Sequence, residues 1–433
     1  VNSSRSGISS RIVGAGLLTA ETSREGDRAT TLELFFDLVY AFAFTQVTAL
    51  MVHNETAVGV LEGIAVLLLL WGPWASFAWL ANQAHADRGV VRIGMVAAIL
   101  IMFFASLALP AAYRSADGPL LGTLLFAVSF FLVQVVHTVV YLIAAGSDTA
   151  LRRQIIITES TALLPGSALL VIGGALGSPL QVWIWLAAVA FQWVMIYVTS
   201  SGGDWRINSL AHFAERHGLV VLLALGESII AIGSGVARLP LGASVLVGSG
   251  FGIGIGIALW WLYFHHLSPK TEHAIARRSG VERAGLATEV YTYLHMSLIA
   301  GIVIAALGVE TTMRHVSEVT APGLFPAVAL ASGVALYLAG TGFVWLRVSG
   351  EWSLPRFTAG ALLLALIPAL AIAPAVVDLG VVLLIVVALA VAEGLLGQRA
   401  KLRGKATTAS APTTTAEPAP PPARMPRRRS APR

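Results

Sequence analysis

The chain has 433 residues, of which 56% are hydrophobic and 12% charged, and it contains no cysteine. A soluble domain carries about 25% charged residues, so the composition excludes an ordinary water-soluble enzyme and predicts an all-α polytopic membrane protein. The missing thiols exclude disulfides, thiolate metal sites and cysteine nucleophiles, and the net charge of +5 is concentrated in residues 397–433, where nine Lys or Arg oppose Glu417 alone.

In chain order, residues 1–32 are polar and predict a cytoplasmic segment with no cleaved signal. Twelve mostly apolar runs follow at 33–53, 58–81, 92–110, 119–144, 154–175, 180–199, 210–236, 243–266, 285–307, 323–346, 356–373 and 376–396. Each is close to the ~20 residues that span a bilayer, and the last two form either separate spans or one hairpin broken at Pro374. Arg88, Arg92, Arg152, Arg153, Arg206, Lys270, Arg277, Arg278, Arg283, Arg347 and Arg356 follow even-numbered runs. The opposite loops hold Arg114, Arg238 and Arg314, so the positive-inside rule places both termini in the cytoplasm. Residues 397–433, rich in Ala, Pro and Thr, predict a disordered basic tail drawn to anionic lipid headgroups. Nucleic acid is not an expected partner, because no aromatic platform accompanies these charges.

Internal repetition divides the spans. Setting Glu33 on Glu215, an offset of 182, aligns ELFFDLVYAFAFTQVT with ERHGLVVLLALGESII. Arg153 precedes Pro165 by the same 12 positions that separate Arg356 from Pro368. These matches predict two six-helix pseudo-repeats, 33–199 and 200–396, sharing one orientation about an axis along the membrane normal.

The charges inside the spans are the candidate functional residues. A carboxylate or guanidinium at bilayer depth costs about 2.5–3.5 kcal/mol on insertion scales and turns towards protein or a wet cavity. At 100° per residue Glu33, Asp37, Tyr40, Phe44 and Thr48 share one face of the first span; His212, Arg216, Leu219, Leu223, Glu227 and Ile230 share one face of the seventh. Arg216 and Glu227 lie three turns apart, roughly 16 Å, so they cannot pair directly, whereas Arg216 matches the depth of Glu33 and Asp37. Helix-dipole anchoring is a second reading for Glu33, Asp37, Glu159, Glu215 and Glu289, which all sit in early turns of odd-numbered spans. It does not reach Glu227. His137, on one face with Gln134 and Tyr141, and His295 serve either helix packing or proton relay. The stripe Gly248, Gly252, Gly256 predicts close helix packing, and most tryptophans fall at expected interfaces.

The segments ELFFDLVYAFAFTQ and HFAERHGLVVLLALGES resemble the two signature segments of the bacterial low temperature requirement protein A (LtrA) family, and the resemblance covers roughly residues 25–400. It implies signature positions at Glu33, Phe36, Asp37, Gln46, His212, Glu215, Arg216, Gly226, Glu227 and Ser228, a place in the bacterial inner membrane and a link to growth in the cold. It supplies no reaction. Leu219 stands where a second copy of Asp37 would fall, which argues against two equivalent acidic pairs.

Three functions fit these residues. The first is secondary transport of an unknown small solute or ion, with Glu227 and Asp37 as proton or cation sites lining one wet centre with Glu33 and Arg216. The second is an intramembrane enzyme acting on a lipid-linked substrate through His212, Glu215, Glu33 and Asp37. The third is a non-catalytic sensor or assembly protein. No phosphate loop or dinucleotide fingerprint implies a cofactor, and no metal is expected.

Overall fold

The computed structural model describes residues 25–113, 118–200 and 206–409. Most of the expected N-terminal segment, Arg114 and the tail from 410 onward lie outside the described residues. Among the described residues twelve long helical stretches follow in order: α1 Thr31–His53, α2 Ala57–Gln83, α3 Gly89–Ala108, α4 Leu121–Ala144, α5 Thr149–Leu176, α6 Leu180–Ser200, α7 Leu210–Val236, α8 Ala243–Ala276, α9 Gly280–Met313, α10 Leu324–Ser349, α11 Leu354–Leu370 and α12 Ala375–Ala409. Eleven are long and apolar enough to cross a membrane; α11 is the shorter exception. The two last apolar runs form two helices.

The exposure pattern is that of a lipid-facing bundle. On α1, Phe35 and Leu38 are 56% and 55% exposed while Glu33 and Asp37 are sealed. Charged groups face inward and apolar ones outward because a lipid-facing helix must present hydrocarbon and place its polar groups against protein. The apolar windows of α2 and α9 are each 78% buried, against 28% for α6, so α2 and α9 are enclosed and α6 is peripheral. Residues from Val391 onward form a second unit, helical through Ala409. This extends helix beyond residue 396, into what the sequence predicts as disordered tail.

Helices α8 and α9 differ from the expected spans. The first runs to Ala276 and the second begins at Gly280, and each contains a π turn, at Leu262–Leu267 and Thr288–Leu294. A π turn displaces the normal backbone ladder, and side chains meet the carbonyls around it. Tyr337 Oη donates to Leu259 O at 2.7 Å, and Arg356 Nη2 donates to Leu262 O at 3.4 Å. Arg356 is therefore a fully buried residue of α11 rather than a loop anchor, whereas Arg153 in the first turns of α5 is exposed. These two arginines, matched by spacing, have different environments.

Small residues bring α9 and α10 together. A Cβ on Gly308 would strike the Leu330 backbone, and one on Gly333 the Ala305 backbone, the contact by which small residues let helices approach in lipid. The expected stripe on α8 is used in part: Gly248 packs on Met313 and Val316, Gly252 on Ile232 and Val309, and Gly256 meets nothing within 4 Å.

Candidate functional site

Helices α1 and α7 run side by side in the same direction, and the inward charges of their first turns meet. Thr30 and Glu33 form a capping box at the start of α1: Thr30 Oγ1 accepts from the Glu33 N–H at 3.3 Å, and Glu33 Oε2 accepts from the Thr30 N–H at 2.7 Å. The other oxygen, Glu33 Oε1, lies 2.8 Å from His212 Nε2 and 3.0 Å from Arg216 Nη1. Glu33 thus combines both readings of its sequence position, one oxygen capping a helix and the other joining a charge cluster.

Arg216 is the hub. Its Nη2 donates to Asp37 Oδ1 at 2.8 Å, and the same oxygen accepts from Trp74 Nε1 at 2.9 Å. The guanidinium carbon stands 5.8 Å from the Trp74 ring centroid, within cation–π range. His212 is oriented by its neighbours: Nε2 faces the Glu33 carboxylate, and Asn82 Nδ2 is 3.5 Å from Nδ1. A carboxylate only accepts and an amide N–H only donates, so these partners assign the proton to Nε2. The side chains of Glu33, Asp37, His212 and Arg216 are at most 4% exposed. This is a sealed network in which one guanidinium serves two carboxylates.

Glu215, one residue before the hub, faces elsewhere. Its Oε2 accepts from the Ala29 N–H at 3.1 Å and ties the segment before α1 to α7. The acid/base set of His212, Glu215, Glu33 and Asp37 is therefore not assembled around a substrate space.

Glu227 has a different setting, eleven residues further along α7 and about 16 Å away. Thr45 Oγ1 on α1 donates to its Oε2 at 2.7 Å, and among the described residues no basic side chain pairs with it. It lines a cleft of about 390 Å³ with Thr45, His53, Ile230, Ser234, Glu310 and Arg314. At the mouth Arg314 contacts Glu310 at 2.8 Å and Glu55 at 3.3 Å. The cleft lies towards the ends of α1, α7 and α9, opposite the charge cluster. The expectation of one wet centre shared by Glu33, Asp37, Arg216 and Glu227 is thereby corrected. Arg216 pairs with both early carboxylates locally, and of the four only Glu227, itself 3% exposed, lines the cleft.

The remaining candidates fall in four places. Ser228 is buried on α7 and Gln46 half-buried on α1, and neither lines the cleft. His137 Nδ1 lies 3.4 Å from Glu159 Oε1 beside a separate pocket. Glu289 forms a surface ion pair with Arg347. His295 is a satisfied core histidine, with Nε2 2.8 Å from Tyr263 Oη and Nδ1 donating to Val290 O at 2.8 Å.

Sequence reasoning missed Trp74, Asn82 and Glu310. Trp74 reads as one more interfacial tryptophan, and Asn82 as the end of a span. Glu310 falls beyond the expected span end at 307 but inside α9, and its i,i+4 spacing from Arg314 was the available signal. Thr45 was missed as well: the offset of 182 aligns it with Glu227, but that alignment did not identify it as the partner of Glu227.

Sealed charges, inward polar faces and outward apolar surfaces define a multi-pass helical membrane protein. The model of the bacterial low temperature requirement A protein (LtrA) matches residues 28–391, and the chain belongs to that family. It is also similar to the uncharacterized protein RA0937 of Rhizobium meliloti (strain 1021), 27% identical over 341 residues that cover 76% of this chain and 79% of the relative. No solved structure matches it.

Proposed function

We propose that this protein is a proton- or cation-coupled secondary transporter of the bacterial cytoplasmic membrane, with Glu227 as the ion-binding carboxylate. The observation that carries this reading is the setting of Glu227: a carboxylate well inside α7, hydrogen-bonded by Thr45, without a basic partner among the described residues and lining an open cleft. An unpaired acid inside a membrane bundle is a functional-site candidate on energetic grounds. Glu310 lies in the same cleft but is paired with Arg314 at 2.8 Å, so the charge that favours a cationic occupant is that of Glu227. Asp37, expected to share the ion site, instead belongs with Glu33, His212 and Arg216 to the lock that holds α1 against α7.

Under the orientation read from the loop charges, the cleft opens away from the cytoplasm and the lock lies on the cytoplasmic side. The basic tail would rest against anionic headgroups. The family's description ties it to low temperature, and slowed uptake or extrusion in the cold is the corresponding expectation here.

The test is flux in proteoliposomes carrying an internal pH indicator, with imposed pH and sodium or potassium gradients. Wild-type protein should move protons or a cation, and Glu227→Gln should abolish that flux while retaining the wild-type melting profile. Absence of gradient-driven flux, or full flux in Glu227→Gln, overturns the reading. If Glu227→Gln lowers stability and flux in equal proportion, Glu227 is a packing residue and the protein an assembly component.

A further inference from the structure

A second cavity, lined by none of the four charged residues of the lock, is built unlike the cleft. It is a half-open pocket of about 120 Å³ between α2, α4, α5, α6 and α9. Its walls are the aromatic rings of Trp71, Trp79, Tyr141, Trp193 and Tyr293, and its polar groups include His137 and Glu159. The walls are held in place. Trp71 Nε1 donates to Thr292 O at 2.7 Å and Trp79 Nε1 to Thr292 Oγ1 at 3.0 Å, both on the π turn of α9. Trp193 meets Tyr293 edge to face, with centroids 5.7 Å apart. With both indole N–H groups engaged, Trp71 and Trp79 offer the pocket mainly ring surface, whose negative face attracts cations.

The polar groups add charge and direction. Glu159 has no Lys or Arg partner among the described residues; its contact is His137 Nδ1 at 3.4 Å. The tautomer that carries its proton on Nδ1, towards the carboxylate, is the one in which Nε2 is an acceptor. His137 is 4% exposed, and its Nε2 has no hydrogen-bond partner among the described residues. A buried acceptor without a donor is destabilising, and a ligand N–H would satisfy it.

We propose that this pocket binds a small organic ammonium ion bearing at least one N–H, its alkyl groups against the tryptophan and tyrosine rings, its charge opposite Glu159 and its N–H donated to His137. The volume sets the size: a cavity of about 150 Å³ holds benzene, so a 120 Å³ pocket takes an ion of the size of trimethylammonium. This inference is independent of the transport reading, because it concerns a different cavity and is read by binding alone.

The experiment titrates full-length protein in nanodiscs with trimethylammonium, tetramethylammonium and tert-butyl alcohol at constant ionic strength, following tryptophan fluorescence and the heat of binding. Trimethylammonium should bind saturably and most tightly. Tetramethylammonium, with the charge but no N–H, should bind more weakly, and the neutral alcohol weakest. Glu159→Gln should weaken trimethylammonium by about tenfold. His137→Phe should reduce trimethylammonium to the level of tetramethylammonium. Equal binding of the alcohol and trimethylammonium to wild-type protein, or no saturable binding of either ammonium, overturns the proposal without recourse to any variant. So does a folded Glu159→Gln protein of unchanged affinity.

Discussion

The two ends of the α1–α7 interface carry the same kinds of residue in opposite conditions. At the start of the helices Glu33, Asp37, His212 and Arg216 contact one another within 3.0 Å and exclude solvent. Further along, Glu227 has a threonine hydroxyl for its close partner and a cleft beside it. A carboxylate in a helix bundle is thus structural or available for chemistry according to whether a cation lies within hydrogen-bond reach, and residue type alone does not separate the two cases.

That contrast can be broken most forcefully at the hub. Arg216→Met leaves two carboxylates buried without their counter-charge, and loss of one member of a buried ionic network costs about 3–5 kcal/mol. The expected result is little folded protein after detergent extraction, read by size-exclusion profile and melting, against a wild-type profile for Glu227→Gln. Equal losses in the two variants would erase the distinction between lock and site.

A smaller effect is expected at Trp74. Trp74→Phe keeps an aromatic ring near Arg216 but removes the donor to Asp37, and a hydrogen bond to a charged group contributes about 1.5–3 kcal/mol. Melting should fall by less than in Arg216→Met, and flux per folded molecule should be retained.

Accessibility sharpens the comparison without disturbing stability much. Because the chain has no native cysteine, single substitutions report directly. Ser234→Cys, lining the cleft, should react with a membrane-impermeant thiol reagent in intact cells, and Ser209→Cys, fully buried beside the lock, should not. Reaction of the second but not the first would invert the assignment of open and sealed ends.

The smallest effect belongs to the satisfied core. Tyr263→Phe and His295→Phe, combined in a double-mutant cycle, should show a coupling of about 0.6 kcal/mol, the average for interhelical hydrogen bonds in a membrane protein, with no change in flux. A large flux defect in the single variants would move His295 from packing to proton transfer.

Much of this arrangement was legible in the chain. The inward face of α1 is as the periodicity predicts, with Glu33, Asp37, Tyr40, Phe44 and Thr48 all buried. Arg216 meets Glu33 and Asp37, as their depths required. Glu310 was legible only through its i,i+4 spacing from Arg314, because an apolar-run criterion stops at residue 307 while α9 continues through Met313. The engagement of Glu215 with Ala29 was hidden for a related reason, since its partner lies in the chain segment before α1, where no periodicity operates.

Composition, run length and helical period by themselves determined that this is a multi-pass helical protein, and they determined which side of α1 avoids lipid, because the insertion cost of a charge acts on each segment separately. Only the tertiary structure decided which charges neutralise one another. Glu33 and His212 are 179 positions apart, and their contact depends on the register between helices. That register is set by the packing of many neighbouring side chains, which no local pattern records.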